Sequence, residues 1–232
     1  MLVYGKNVAK EILKSDIKVR KVFFQEDFND NLINSLVEKQ KLEVKICRKK
    51  EIDDLVNGPH QGIILDIPDY KYTSIDELVS TDPDFVVILD HIEDPHNLGA
   101  IIRTSEAAGV DAIILPKDRS VLVNSTVMKT SAGALVNMNV TLVTNLVNTI
   151  KKLKDNGFWV IGTSLKDSKD YREIDYSGKV ALVIGNEGKG MSNIVEKECD
   201  FIANIPMKGK INSLNASVAS GIMIYEVVRN RK

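Results

Sequence analysis

Apolar residues recur at helical spacing at Val8, Ala9, Ile12 and Leu13, and again at Leu32, Ile33, Leu36 and Val37, which predicts two amphipathic helices. Residues 19–24, 44–47 and 62–67 have the extended apolar pattern of strands, and Ile52, Leu55 and Val56 mark a short helix between the second and third. Residues 1–66 therefore form a small αβα unit by pattern alone. From Pro68 to Pro83 the chain turns polar around one short apolar segment, the composition of an interdomain linker, which makes 67–83 a linker and 84–232 a second domain.

In the second domain strand and helix patterns alternate. Phe85-Val86-Val87-Ile88-Leu89 is a continuous apolar run, as expected for a strand buried on both faces of a parallel sheet. Further strands are predicted at 112–115, 140–143, 159–163, 180–184 and 201–205, with helices at 98–108, 125–131, 145–156, 192–198 and 214–229. The fold class is α/β with a mostly parallel sheet, and in such sheets ligands bind outside the carboxyl ends of the strands.

Composition narrows the choices. No apolar run approaches the length that spans a bilayer, and Met1-Leu2-Val3-Tyr4-Gly5-Lys6 lacks the basic-then-apolar order of a signal peptide, so a cytoplasmic protein without a membrane partner is expected. Cys47 and Cys199 belong to no CxxC pair or His/Cys cluster and read as reduced structural thiols. The net charge of −1 gives no bulk basic footprint for nucleic acid, and the balance is even along the chain, so any nucleic-acid contact must come from local patches such as Arg48-Lys49-Lys50.

Three segments that follow strands are rich in glycine, asparagine and single charges. The first runs from Asp90 through Asn97 to Arg103 and Thr104, with Asn97 placed to cap the following helix; Arg103 alone fits a solvated helix arginine as well as a functional group. His91 and His96 flank Glu93 and Asp94 but lack the spacing and the third soft ligand of a metal site, so no metal is expected. The second is Gly185-Asn186-Glu187-Gly188-Lys189-Gly190, whose glycines allow close backbone approach to a ligand. It fits neither a P-loop nor the GxGxxG dinucleotide fingerprint, and the carboxylate of Glu187 is an odd choice for a plain tight turn. The third is residues 205–221, in which Ser213 or a neighbour starts a helix carrying the small residues Ala216, Ala219, Ser220 and Gly221.

Together these loops resemble the SpoU/TrmH branch of the SPOUT methyltransferases. The pattern N-x-x-A-x-x-R-T is met by Asn97, Ala100, Arg103 and Thr104, G-N-E-G-x-G by residues 185–190, and I-P-M-x-G-x-x-x-S-L-N-x-S-x-A by residues 205–219. Tyr4-Gly5-Lys6-Asn7 and His60-Gln61-Gly62-Ile63 resemble the L30e-like substrate-binding domain of the family's ribosomal RNA branch. The resemblance implies a carboxyl-terminal catalytic domain with a deep trefoil knot, S-adenosylmethionine as cofactor, a homodimer with sites completed across the interface, and a guanosine of 23S rRNA as target. It also implies that Thr163, Gly185, Gly190, Ile205 and Leu214 hold the cofactor, and that Arg103 carries catalysis with Asn97, Glu187, Ser213 and Asn215 around it. A guanidinium is hard to deprotonate, so Arg103 is better suited to binding a phosphate and stabilising a developing alkoxide than to acting as a base. A transfer-RNA methyltransferase of the same family and a non-catalytic RNA-binding assembly factor are the alternatives.

Overall fold

The computed structural model describes residues 1–210 and 213–231; Ile211 and Asn212, within the third loop, and Lys232 lie outside the described residues. In chain order the amino-terminal part contains β1 (Leu2–Tyr4), α1 (Lys6–Lys14), β2 (Lys21–Gln25), α2 (Asn31–Lys39), β3 (Val44–Cys47), α3 (Lys49–Asp53) and β4 (Ile63–Asp66). The apolar stripe of α1 is buried as its spacing predicts. On α2 only Ile33 and Val37 are buried, and Leu32 is left exposed. The sheet order is β1-β4-β2-β3, with β4 antiparallel to both neighbours and β2 parallel to β3. β1 escapes the pattern because three residues are too short for a period to register.

The remaining elements are α4 (Ile75–Ser80), β5 (Phe85–Asp90), α5 (Pro95–Ala107), β6 (Ala112–Pro116), α6 (Ser125–Thr130), β7 (Asn139–Val143), α7 (Leu146–Asp155), β8 (Phe158–Thr163), β9 (Lys169–Asp170), β10 (Lys179–Gly185), α8 (Asn193–Glu196), β11 (Phe201–Asn204) and α9 (Ala216–Asn230). Seven strands form one sheet in the order β7-β6-β5-β10-β8-β11-β9, and every pairing is parallel. All six residues of β5 are buried. One face of the sheet packs Val86, Ile88, Ala181 and Val183 against Leu146, Ile150 and Leu153 of α7. On α9, Met223, Ile224 and Val227 are buried, and α9 packs on α5, where Gly221 would bring a Cβ only to 3.8 Å from Thr104.

The chain divides into two compact units, residues 1–71 with 123–137, and 72–122 with 138–232. The polar stretch that the sequence assigns to a linker is structured: Ser74 caps α4 with its hydroxyl, Glu77 closes the capping box, and Thr73 bridges Thr141 beside β7. Residues 123–137, which the strand-helix alternation assigns to the second domain, go with the first unit, where α6 packs on β1 and buries Val127 and Met128.

In the large sheet the chain runs from β5 outward to β6 and β7, then returns to β8 on the far side of β10. Strand order reverses beside β5 and β10, the position at which open α/β sheets place their ligands.

Candidate active site

The three sequence loops converge at the carboxyl ends of β5, β8, β10 and β11. β5 ends in Asp90, a carboxylate 1% exposed. Its Oδ2 accepts the backbone N–H and the hydroxyl of Ser192 at 2.6 and 2.8 Å, and its Oδ1 stands 2.5 Å from His91 Nδ1. A buried carboxylate is tolerable only when its lone pairs are met, and here two donors from Ser192 meet Oδ2 while the His91 ring nitrogen pairs with Oδ1. Ser192 opens α8, so Asp90 ties the strand end of the first loop to the far end of the glycine loop.

The helix after the first loop starts earlier than its apolar spacing implies. Asp94 is the N-cap, accepting from the His96 N–H at 2.9 Å, and Pro95 takes the first helical position, where its fixed φ suits the helix and its missing N–H costs nothing. This corrects the expectation that Asn97 is the cap. Asn97 lies in the first turn, nearly buried, and its side chain is free to bond elsewhere. Its Nδ2 donates to Glu187 Oε1 at 2.6 Å, and its Oδ1 accepts from Asn215 Nδ2 at 2.9 Å. Asn215 is itself the cap of α9, its Oδ1 accepting from the N–H groups of Ser217 and Val218 at 2.9 and 3.3 Å. One asparagine thus links all three loops.

The glycine loop is a pinched turn. Asn186 and Gly190 exchange backbone hydrogen bonds of 3.0 and 2.9 Å, the Asn186 side-chain oxygen accepts from the Gly188 N–H at 2.9 Å, and its amide donates to the His91 carbonyl at 2.8 Å. Gly185 is required by close approach, since a Cβ there would lie 2.3 Å from both Gly190 C and Met191 N. Gly190 is required by its backbone, with φ at 66°.

Beside this loop is a cavity of about 520 Å³. Thr163, Gly185, Gly190, Ile205 and Leu214 all line it, as do Glu187 and Ser213. Asn97 and Asn215 stand behind it and hold Glu187 and the start of α9. Arg103 is apart: it is exposed on α5, outside the cavity wall, and makes no hydrogen bond or ion pair among the described residues. Asp90 and Asn186 brace the loops around the cavity, a part that sequence reasoning did not assign to them. Asp90 carried a signal, as a carboxylate closing a fully buried strand at its carboxyl end.

Neither thiol lines the cavity. Cys47 is buried, and burial pushes the Cys199 thiol up to about 12, partly offset by the charge of Lys154. Among the described residues no group of three or more His, Cys, Asp or Glu is arranged to hold a metal ion, and no helix is long and apolar enough to cross a membrane.

An all-parallel sheet whose strand ends open on a glycine-walled cavity, with apolar residues such as Ile184, Leu214 and Met223 facing polar ones such as Asn186 and Glu187, is built to hold a cofactor with a flat apolar portion and a charged tail. S-adenosylmethionine, an adenosine joined to a charged amino-acid tail, has that chemistry, and the class is a transferase with an adenosine-bearing cofactor. Residues 84–225 match the SpoU rRNA methylase family, and residues 2–73 match the substrate-binding domain of RNA 2′-O ribose methyltransferases. A TrmH family tRNA/rRNA methyltransferase of Staphylococcus saprophyticus is 44% identical over 100% of this chain and 96% of its own. The S-adenosylmethionine-bound rRNA methyltransferase of Sinorhizobium meliloti superposes with a TM-score of 0.81 at 27% identity, over 98% of this chain and 86% of its own. The SpoU methyltransferase AviRb of Streptomyces viridochromogenes, also solved with S-adenosylmethionine, has the same fold, with a TM-score of 0.85 at 24% identity over 100% and 90% of the two chains. The chain belongs to the SpoU/TrmH family of S-adenosylmethionine-dependent RNA 2′-O-ribose methyltransferases.

Proposed function

We propose that the protein methylates the ribose 2′-hydroxyl of a guanosine in 23S rRNA, as a cytoplasmic homodimer, with the cavity beside the glycine loop as its cofactor site. The observation that carries the reading is the Glu187–Asn97–Asn215 chain, which fixes three loops of one cavity wall relative to one another. The carboxyl-terminal loops form the family's knot in this reading, with Thr163, Gly185, Gly190, Ile205 and Leu214 holding the cofactor.

S-adenosylmethionine supplies a methyl group activated by its sulfonium; the chain must hold the ribose in line and relieve its proton. With the cofactor bound in this cavity, its methyl group would be the one transferred to the 2′-oxygen, and the hydroxyl proton would pass to solvent. Arg103, with no partner of its own among the described residues, binds the neighbouring phosphate through its fork and stabilises the developing alkoxide. Asn97 and Asn215 are positioning residues, Glu187 fixes the loop or the substrate, and Ser213 orients the ribose. The exposed side chains of Val218 and Tyr225 on α9, the helix packed against the one that carries Arg103, favour a second copy of the chain as its cover.

The amino-terminal unit supports a ribosomal target. The rRNA methyltransferase of S. meliloti matches 98% of this chain, whereas the TrmH/SpoU tRNA modifying enzyme of A. aeolicus, at 32% identity and a TM-score of 0.58, covers 68% of it. The test is incubation with methyl-labelled S-adenosylmethionine and either unmodified 23S rRNA or bulk transfer RNA, followed by digestion to nucleosides. Label in 2′-O-methylguanosine from 23S rRNA is expected; label from transfer RNA alone would overturn the target.

A further inference from the structure

In the amino-terminal unit a second cavity, of about 510 Å³, opens between the start of α1, the loop after β2 and the loop before β4. Its wall combines the phenyl ring of Phe28, two lysines and several amide edges. Phe28 is half-buried, stacked on Phe24 with ring centres 4.5 Å apart and planes 13° from parallel. Gly62 presses on the ring edge, where a Cβ would come within 3.0 Å of Phe28 Cδ2, so the ring is held from beneath and beside. Lys6 Nζ stands 5.2 Å from the Phe28 ring centre. Lys49 also lines the cavity and makes no ion pair or hydrogen bond among the described residues, whereas its neighbour Arg48 is engaged by Glu51 at 3.0 Å.

The acidic groups here are arranged, not merely present. Asp53 is matched by the buried His60, whose Nε2 lies 2.7 Å away while its Nδ1 accepts the Gly62 N–H at 3.0 Å. Asp27 accepts from Gln25 Nε2 at 2.6 Å through one oxygen, which leaves a side-by-side carboxylate and amide edge at the cavity. A fixed aromatic face, a hydrogen-bonding edge with both donors and acceptors, and cations at the rim are the three elements by which proteins hold an unpaired nucleotide: base on ring, base edge on amide or carboxylate, phosphate on lysine.

We propose that this cavity binds one unpaired nucleotide of the RNA substrate, its base stacked on Phe28 and read by Gln25 and Asp27, its phosphate held by Lys6 and Lys49. The inference rests on RNA being the substrate, and assigns a specific nucleotide contact outside the methyl-transfer site. Lys6 covers the ring in the free protein, and a lysine is flexible enough to give way to a base and turn to its phosphate. Stacking of this kind is sequence-tolerant, so the pocket favours an unpaired over a paired nucleotide; identity is read at the edge.

The test measures the affinity of the full chain at one fixed salt concentration for unmodified 23S rRNA and, separately, bulk transfer RNA. Phe28→Ala should weaken binding of the RNA that wild type prefers by about 10-fold or more, and Phe28→Tyr should restore it. Lys49→Glu should weaken it too, whereas Lys39→Glu, the same charge change at the end of α2 outside the cavity, should not. If Phe28→Ala fails to fold, the Lys49/Lys39 pair decides alone. Equal binding by wild type, Phe28→Ala and Lys49→Glu would overturn the proposal, as would equal losses in Lys49→Glu and Lys39→Glu, or no binding of either RNA by wild type. Preference for transfer RNA with the same variant pattern would uphold the pocket and remove the 23S rRNA assignment.

Discussion

Asn97 donates from its amide nitrogen to Glu187 at 2.6 Å across 90 residues of sequence, while its amide oxygen takes a hydrogen bond from Asn215 at 2.9 Å. The donor faces a carboxylate and the acceptor faces an amide nitrogen, so only an amide at position 97 satisfies both neighbours. Asn97→Asp would place a second carboxylate against Glu187, and Asn97→Ala would leave both partners unmet. Both variants should lose methyl transfer, with Asn97→Asp the worse. The cost in loop positioning is about 1–3 kcal/mol, which steady-state kinetics would register as roughly a 5- to 150-fold fall in kcat/KM. Glu187→Gln combined with Asn97→Asp should recover part of the loss, because the amide then donates to the carboxylate.

Asp90 is the second fixed point. Asp90→Ala strands the Ser192 N–H and hydroxyl that it now accepts at 2.6 and 2.8 Å. The variant should lose about 2–3 kcal/mol of stability, since unmet buried polar groups cost the full desolvation of each, a drop in melting temperature of roughly 5–10 °C for a chain of this size. Calorimetry with and without S-adenosylmethionine checks this, and the cofactor should recover little of the loss if the glycine loop has moved.

Two glycines three positions apart should behave oppositely. A Cβ at Gly185 collides with the backbone of Gly190 and Met191 at 2.3 Å, whereas a Cβ at Gly188 meets nothing nearer than Asn186 Oδ1 at 3.7 Å. Gly185→Ala should weaken S-adenosylmethionine binding by about 10-fold or more, as expected when a packed backbone must shift by overpacking. Gly188→Ala should leave it within about 2-fold. Equilibrium binding of the cofactor separates the two.

Alkaline pH should destabilise the fold through Cys199. Burial raises its thiol from an ordinary value of 9.0 to about 12, so the folded state keeps a proton that the unfolded chain releases. That contribution is fully present below pH 9 and is lost as pH rises toward about 12. Burial shifts Tyr176 in the same direction, so Cys199→Ala should flatten the alkaline limb of the melting-temperature profile only in part. At about pH 8 the buried Cys47 should not react with a thiol reagent until the protein is unfolded, and the partly exposed Cys199, held protonated, should react slowly.

The sequence made the parallel sheet legible because buried strands such as β5 are unbroken apolar runs, and it pointed to the cavity beside the glycine loop because Gly185, Gly190, Ile205 and Leu214 of its wall fall inside the quoted motifs. It did not reveal that residues 123–137 belong with the amino-terminal unit, since a six-residue helix has the same local pattern whichever core it joins. The cap of α5 differs from its sequence reading for a related reason: Asn97 has cap chemistry, but Asp94-Pro95 starts the helix first, and only the tertiary partners Glu187 and Asn215 show what the asparagine is for. Phe28 lies in a polar turn with no period to mark it, and its stack on Phe24 is visible only in three dimensions.

The most direct measurement compares Arg103→Ala with wild type for S-adenosylmethionine affinity and for single-turnover methyl transfer to unmodified 23S rRNA. Arg103 stands outside the cavity wall, so cofactor binding should be unchanged while transfer is lost. Preserved transfer by Arg103→Ala would remove Arg103 from the chemistry and contradict the proposed site.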